Sequence, residues 1–257
     1  MSATDPAPRP PPDHYSYSVY ADPAHAGRFD QLRFSGPIGT LLAETQEQVL
    51  VDFLPGLAGM TVLDVGTGTG RAALLLARRG AAATGVDASV QMLDIARERA
   101  RHDNLEVTFG IGDAHHLEYP DGSFDAAVSL RVLMHTPDWR QCLGELCRVA
   151  RHRVVFDFPA LCSAAALQAA ARHLAAALGS GTEAYRVFRA SAIESELARH
   201  GYSVAARHRQ FVLPIAVHKA VGSRAFTLGL ERALAGVGML RLFGSPVTVV
   251  ATRAGGR

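Results

Sequence analysis

The residue types and spacings in this chain that could do chemistry gather around position 64. An apolar stretch, Val62-Leu63-Asp64-Val65, runs into Gly66-Thr67-Gly68-Thr69-Gly70 and then into the helix-like Arg71-Ala72-Ala73-Leu74-Leu75-Leu76-Ala77-Arg78. A second strand-like stretch closes on Thr84-Gly85-Val86-Asp87. A strand, three spaced glycines and a helix bring backbone close to a nucleotide-like ligand at the carboxyl end of a parallel sheet. Asp87, closing the next strand, is placed to accept both hydroxyls of a ribose. Asp64 is a carboxylate inside an otherwise apolar strand, so a pyrophosphate would be repelled there, whereas a ligand carrying an ammonium and a sulfonium would be attracted.

The glycines alone leave the ligand open. Read from Gly66, a dinucleotide fingerprint requires a small residue at position 71, where Arg71 stands. Read from Gly68, the series Gly68, Gly70, Ala73 satisfies that fingerprint, and Asp87 falls at the expected distance. An adenosyl-sulfonium site, a dinucleotide site and a turn without a ligand all fit the motif by itself.

The following segment separates them. A helix over Ser89 to Arg101 and a strand over Leu105 to Gly110 lead into Gly112-Asp113-Ala114-His115-His116-Leu117, and a Pro120-Asp121-Gly122 turn launches a buried fourth strand ending at Leu130. A carboxylate at the end of the third strand can accept a hydrogen bond from an adenine amino group. With Asp64 to Gly70, Val86-Asp87-Ala88, Met92-Leu93, Gly112-Asp113-Ala114, Phe124-Asp125 and Leu130-Arg131-Val132-Leu133-Met134-His135, the chain resembles the class I S-adenosylmethionine-dependent methyltransferases. The resemblance is to the small-molecule branch that includes ubiquinone and menaquinone biosynthesis enzymes, and it covers roughly residues 60 to 160.

That resemblance implies S-adenosylmethionine as cofactor and a small-molecule methyl acceptor as partner. Gly66, Thr67, Gly68 and Gly70 would lie against the methionine moiety, with Asp64 orienting its ammonium directly or through a water. Asp87 would hold the ribose diol, Asp113 with Ala114 the adenine amino end, Ala88 and Met92 the adenine walls, and the Leu130 backbone the methionine end. His135 stands where this fold presents active-site residues, as a general base or as a residue that shapes the acceptor pocket. His115 and His116 are expected to face solvent or to lie beside the adenine. No metal site is expected, since no carboxylate pair beyond the cofactor positions has the spacing of the catechol-type enzymes.

The elements that must position these residues read as a Rossmann-like α/β fold: a seven-stranded, mostly parallel sheet with helices on both faces, an N-terminal lid, and helical insertions after strands five and six. Residues 15–257 are expected to form one methyltransferase domain behind a tail at 1–14, with 15–58 as a helical lid and 159–190 and 214–244 as substrate-covering insertions. Gly39 to Phe53 carries Leu41, Leu42, Thr45, Val49 and Phe53 at helical spacing. Asp138 caps a helix through Val149, and Val154 to Phe158 is the fifth strand. Leu161 to Leu178 is an alanine-dominated helix stopped by Gly179, and Ser191 to His200 a helix with Ser191 as its cap and Glu194 three residues later. Tyr202 to Val212 and Val247 to Thr252 are the last strands. The segment Pro214 to Gly244 mixes many apolar residues with His218, Lys219, Arg224, Arg232 and Arg241. It reads as one or two helices packing an apolar face on the core, as a roof over an apolar substrate, or as a membrane-surface contact.

Composition narrows the function classes. With 257 residues and 48% hydrophobic, the chain can bury a substantial core. The net charge of +2 gives no strong field, and the arginines are scattered rather than interleaved with aromatics, which argues against a nucleic-acid partner. The fourth strand also lacks the Pro-Pro-aromatic ending of base-amine methylases. Cys142, Cys147 and Cys162 have no zinc-site spacing, and their odd number argues against a full disulfide framework. The proline-rich start lacks the apolar core of a secretory signal, and no run is long and apolar enough for stable membrane insertion, so a cytoplasmic protein is expected. The oligomeric state is not legible. Methyl transfer to a small, apolar or aromatic metabolite is therefore the expected function. Its rivals are an NAD-dependent oxidoreductase, which accounts for the glycines and Asp87 but not for Asp64 or Gly112-Asp113-Ala114, and a catalytically silent binding protein of the same fold.

Overall fold

Strict alternation along the strands divides the apolar residues between the two faces of one sheet. Leu63, Val65, Ala127, Val154 and Phe156 enter one buried cluster, while Val62, Ala126, Val128 and Val155 enter another on the opposite face. The computed structural model describes Asp30 and residues 33–177 and 185–254. Its strands are β1 (Thr61–Val65), β2 (Ala82–Asp87), β3 (Thr108–Ile111), β4 (Phe124–Ser129), β5 (Ala150–Phe158), β6 (Tyr202–Phe211) and β7 (Ser245–Arg253). They form one sheet in the order β3-β2-β1-β4-β5-β7-β6, with β7 antiparallel to both of its neighbours.

The helices are α1 (Gly36–Phe53), α2 (Arg71–Arg78), α3 (Val90–His102), α4 (Trp139–Val149), α5 (Ala164–Ala177), α6 (Ala190–Arg199), α7 (Ile215–Val221), α8 (Arg224–Gly236) and α9 (Met239–Phe243). On one face of the sheet α4 contributes Cys142, Leu143 and Leu146 and α6 contributes Ile193 and Leu197. On the other, Leu50 of α1 and Ala73, Leu75 and Leu76 of α2 cover the strands. Each fully buried leucine contributes about 1.5–3 kcal/mol of transfer free energy, so these two layers fix the strand edge on which the site is built. Strand order reverses between β1 and β4, and the crevice at such a switch point is where this sheet type takes its ligands.

Several boundaries differ from the sequence expectation, each for a local reason. β3 runs over Thr108–Ile111 rather than Leu105 to Gly110, because Leu105 is still tied to the end of α3 by a bond from its N–H to the Ala100 carbonyl. β5 starts four residues early, at Ala150, where it pairs with Phe124 of β4. Asp138 does cap α4, accepting from the N–H groups of Arg140 and Gln141 at 3.0 and 3.2 Å. Ser191 does not cap α6: the helix begins one residue earlier, behind Arg189, because the bridge of Phe188 to Ala160 sets the entry of the chain. Glu194 pairs instead with Arg207 of β6.

The alanine-rich helix begins at Ala164 rather than Leu161, after a turn in which Ser163 Oγ donates to the Ala160 carbonyl and accepts from Ala165 N–H. Leu178 and Gly179 lie outside the described residues, as do the tail at 1–14 and, of the lid expected over 15–58, residues 15–29, 31 and 32. The insertion after β6 forms three helices, α7 to α9, rather than one or two. No described helix is long and apolar enough to cross a membrane.

Candidate active site

The turn after β1 is held from beneath by Asp64. Its side chain is 2% exposed, and its Oδ2 accepts from Thr67 Oγ1 at 2.6 Å and from the Ala73 N–H in the first turn of α2 at 3.1 Å. Burial pushes the Asp64 carboxyl up to about 6, against the pull of those two hydrogen bonds. Asp64, Thr67 and Gly70 thus shape the turn from behind, and the cavity in front of it is lined by others.

Gly66 and Gly68 illustrate why glycine is needed here. Both have positive φ, at +70° and +53°. An added Cβ on Gly66 would sit 2.3 Å from Cγ2 of Val132, whereas a Cβ on Gly68 would meet nothing within 4 Å and would project into open space. Behind Gly68 stands Asp87, whose Oδ2 accepts from the Gly68 N–H at 2.8 Å and whose Oδ1 accepts from the Ser89 N–H at 2.9 Å. Burial raises the Asp87 carboxyl, and these backbone donors lower it. The carboxylate that closes β2 is therefore anchored to both the glycine turn and the start of α3.

These groups border a cavity of about 140 Å³ at the carboxyl edge of β1, β2 and β4. Gly66, Gly68, Asp87, Ala88, Met92, Asp113, Ala114, Leu130 and His135 all line it, so the structure brings together most of the residues singled out from sequence. Asp113 is clasped by its neighbour: its Oδ1 accepts from the His115 N–H at 3.0 Å and lies 2.8 Å from His115 Nδ1. His115 therefore belongs to this wall.

A second cavity, of about 300 Å³, adjoins the first. Leu42, Thr45, Gln46 and Val49 of α1 form one side, and Ala164, Ala165 and Gln168 of α5 with Tyr185 another. His208 and Gln210 of β6, the turn Val212 to Ile215, and Thr248 of β7 complete the wall. Three residues line both cavities: Arg33, Arg131 and His135. His135 ends a short 3-10 turn, Leu133–His135, and is 7% exposed.

Arg131 was not singled out by sequence, and no local pattern would have shown it. It has φ +63°, a left-handed conformation costly for a residue with a side chain, and its N–H donates to Asp157 Oδ1. Asp157 was the more legible omission: like Asp64, it is a carboxylate inside an apolar strand, Val154-Val155-Phe156-Asp157-Phe158. It is 4% exposed, and burial raises its carboxyl while the adjacent Arg131 and Arg33 lower it.

Of the expected lid, Asp30 accepts from Thr69 Oγ1 at 3.0 Å and pairs with Arg99. The Arg71 guanidinium lies 3.9 Å from the ring centre of Phe34, and Lys219 Nζ donates to the Arg33 carbonyl at 3.0 Å. The residues before α1 are thereby tied to the glycine turn at one end and to α7 at the other.

Comparison with known proteins agrees with this geometry. Residues 63–156 match the family model described as a methyltransferase domain. The chain is 37% identical over 137 residues to the methyltransferase GfsG of Streptomyces halstedii, covering 52% of this chain and 49% of that protein. It is 41% identical over 114 residues to a demethylmenaquinone methyltransferase of Thermus thermophilus, covering 42% of this chain and 52% of that one. The chain thus spans about half the length of these relatives. Among solved structures, the magnesium protoporphyrin IX methyltransferase of Synechocystis PCC 6803 with bound SAH superposes with a TM-score of 0.66 at 19% identity, over 93% of this chain and 99% of that one. The geranyl diphosphate C-methyltransferase of Streptomyces coelicolor superposes with a TM-score of 0.62 at 19% identity, over 82% and 78%. These last two likenesses concern the fold. The glycine turn, Asp87 and Asp113 are thus arranged around one crevice, and the part of the chain that carries them, residues 63–156, matches a methyltransferase domain.

Proposed function

We propose that the chain transfers a methyl group from S-adenosylmethionine to a small, apolar or aromatic acceptor held in the larger cavity. The observation that carries this reading is the meeting of the two cavities at Arg33, Arg131 and His135. A cleft of about 140 Å³ at the switch point shares these residues with a chamber whose volume of about 300 Å³ lies at the lower end of small-ligand sites.

The residues present fit the cofactor. The open space in front of Gly68 accepts a close approach that any side chain would block, and Asp87 is fixed by two backbone donors where a diol can reach it. Gly66 and Gly68 would hold the methionine moiety, Asp87 the ribose, and Asp113 with Ala88 and Met92 the adenine. Asp64 contributes negative charge from behind the turn rather than a direct contact with the ligand. Bound S-adenosylmethionine supplies a methyl group on a sulfonium, which needs alignment with a nucleophile more than activation.

The protein's own part is then to orient the acceptor and keep water out. Leu42, Val49, Phe211 and Ile215 give the larger chamber apolar walls, while Arg33, Arg131, Arg172 and Lys219 bring positive charge to it. Such a lining suits a greasy ring that carries an electron-rich oxygen. His135 borders both cavities and shapes the junction; it would act as a base only for an acceptor that must lose a proton first.

Calorimetric titration with S-adenosylhomocysteine and with NAD, side by side, tests the cofactor. A micromolar dissociation constant, about −8 kcal/mol, is expected for S-adenosylhomocysteine. Tight binding of NAD without a response to S-adenosylhomocysteine would overturn the reading in favour of an oxidoreductase. A screen of phenols, quinols and amines for mass gain of a methyl group tests the transfer. Cofactor binding with no product from any acceptor class would favour a silent binding protein.

A further inference from the structure

The most deeply buried side chains of α7 and α8 are polar. In α8, Thr227 and Glu231 stand four residues apart and face the protein, at 0% and 7% exposure, while Phe226 and Leu228 are 48% and 39% exposed. The inward side is a satisfied polar cluster. His218 of α7 is fully buried, with Nε2 2.9 Å from Glu231 Oε1 and Nδ1 3.1 Å from Thr227 Oγ1. Glu231 also accepts from the N–H groups of Val212 and Leu213 at 2.8 and 3.1 Å. The cluster clamps α8 onto the corner between β6 and α7, with Phe226 and Leu228 left exposed. Of the three readings the sequence left open, a purely apolar face on the core does not describe α8, whose inward side carries Thr227 and Glu231 beside the half-buried Leu230 and Leu234.

The exposed apolar residues continue along the same insertion, with Val221 at 47%, Val237 at 75%, Leu242 at 61% and Phe243 at 42%. In a water-facing helix these positions would be polar, and so concentrated an apolar surface marks an interaction site. Within the insertion the exposed charge has one sign, and Arg224 pairs with the exposed Glu44 of α1. Lys219, Arg224, Arg232 and Arg241 are all exposed, and the one acid between residues 213 and 243, Glu231, is buried in the polar cluster. Two copies of this surface would repel one another. An apolar face flanked by Lys219, Arg232 and Arg241, with no exposed acid of its own, fits the boundary of an anionic lipid layer, with the apolar groups among the acyl chains and the cationic groups at the headgroups.

We propose that the outward face of α7, α8 and α9 docks on an anionic lipid surface without crossing it. The docked face adjoins the acceptor chamber, because Ile215 and Lys219 of α7 line that chamber. A lipid-dissolved acceptor would then have a short path from the bilayer to His135. That path rests on the methyl-transfer reading, whereas the docking itself does not.

The full chain is mixed with vesicles of phosphatidylcholine, with and without phosphatidylglycerol, and separated by flotation. Binding to the phosphatidylglycerol vesicles alone is expected, weakening as salt is raised. At about fivefold per basic residue near such a surface, the double variant R232E/R241E should lose at least about twentyfold in affinity. The double variant F226S/L242S should lose binding to a similar degree, since it removes the inserted side chains. Both variants alter exposed positions, so unchanged circular dichroism is the control for folding. The salt and phosphatidylglycerol dependence of the parent tests the proposal independently of either variant. Absence of parent binding to anionic vesicles would overturn it, as would full binding by both double variants. Sedimentation showing a dimer that either double variant abolishes would also overturn it, assigning the face to a second copy. S-adenosylhomocysteine titration of the same samples keeps the two readings apart: its failure defeats the cofactor assignment and leaves the vesicle result standing.

Discussion

Asp64 Oδ2 and Thr67 Oγ1 lie 2.6 Å apart beneath the glycine turn, and the same carboxylate oxygen takes the N–H of Ala73. One oxygen thus ties the last turn of β1 to the first turn of α2. With the side chain 2% exposed, burial outweighs both hydrogen bonds and lifts the carboxyl to about 6. A negative charge is kept here at a cost, and a cationic ligand arriving in front of the turn recovers part of that cost.

The first prediction follows from the sign of that shift. Between the ordinary carboxylate value of 3.8 and about 6 the folded state binds more protons than the unfolded chain, so this group's contribution to stability falls as pH rises through that window. The full difference is on the order of 3 kcal/mol. Asp64→Asn keeps an acceptor for Thr67 and Ala73 without the charge, so it should match or exceed the parent in melting temperature at pH 7.5 and lose part of the pH dependence between 4 and 6. Its affinity for S-adenosylhomocysteine should fall about tenfold, and the parent's affinity should fall as pH drops below 6. An Asn variant that melts well below the parent at pH 7.5 would show that the charge stabilises the turn instead.

The second prediction separates folding from binding at two neighbouring glycines. An added methyl on Gly66 overlaps Val132 at 2.3 Å, so Gly66→Ala should destabilise the protein by about 2–3 kcal/mol. Gly68 has free space in front of it, so Gly68→Val should cost only about 1–2 kcal/mol of backbone strain yet abolish binding of S-adenosylhomocysteine. Thermal melts and calorimetry on the pair distinguish the two roles. A Gly68→Val protein that binds like the parent would mean that the ligand approaches elsewhere.

What the sequence revealed, and what it concealed, follows from which interactions are local. The β1 turn, Asp87, Met92 and Asp113 were legible because a strand, a glycine turn and a helix start are each set by residues a few positions apart, and Asp138 as a cap is equally local. Ser191 misled because its capping pattern was correct, yet the long-range bridge of Ala160 to Phe188 decided where α6 begins. Arg131 was invisible, since its left-handed backbone is imposed by Asp157 on another strand 26 residues away. The insertion at 214–244 was left open in the sequence, between an apolar face on the core, a roof over the substrate and a membrane-surface contact. Only the contacts of Glu231 with His218 and with the backbone of Val212 and Leu213 show that α8 turns polar groups inward.

The third prediction concerns His135, which lines both cavities. If it shapes the junction, His135→Asn should retain most of kcat and raise the acceptor KM, with cofactor affinity nearly unchanged. If it removes a proton from the acceptor, His135→Ala should lower kcat by roughly 10²-fold or more, and the deficit should shrink at high pH. We expect the shaping result. A large loss of kcat in His135→Asn that recovers with rising pH would assign the base instead.

The last prediction turns on the strain at Arg131. A non-glycine residue at φ +63° costs about 1–2 kcal/mol, and the bond that holds it, from its own N–H to Asp157, survives replacement by glycine. Glycine also gives the unfolded chain more freedom, a penalty of about 0.5–1 kcal/mol, so Arg131→Gly should leave stability within about 1 kcal/mol of the parent. The charged side chain of a residue that lines both cavities is lost, however, and with it a cation that acts on the buried Asp157. Acceptor KM should therefore rise by about tenfold or more, equivalent to one charge-assisted hydrogen bond, while S-adenosylhomocysteine affinity changes much less. Arg131→Lys keeps the charge and the strain, and should restore part of the acceptor affinity without raising the melting temperature. A strained cation retained at the junction of two cavities is what a functional constraint on the acceptor would produce. If Arg131→Gly instead unfolds at a much lower temperature and binds the acceptor normally once folded, the arginine belongs to the scaffold.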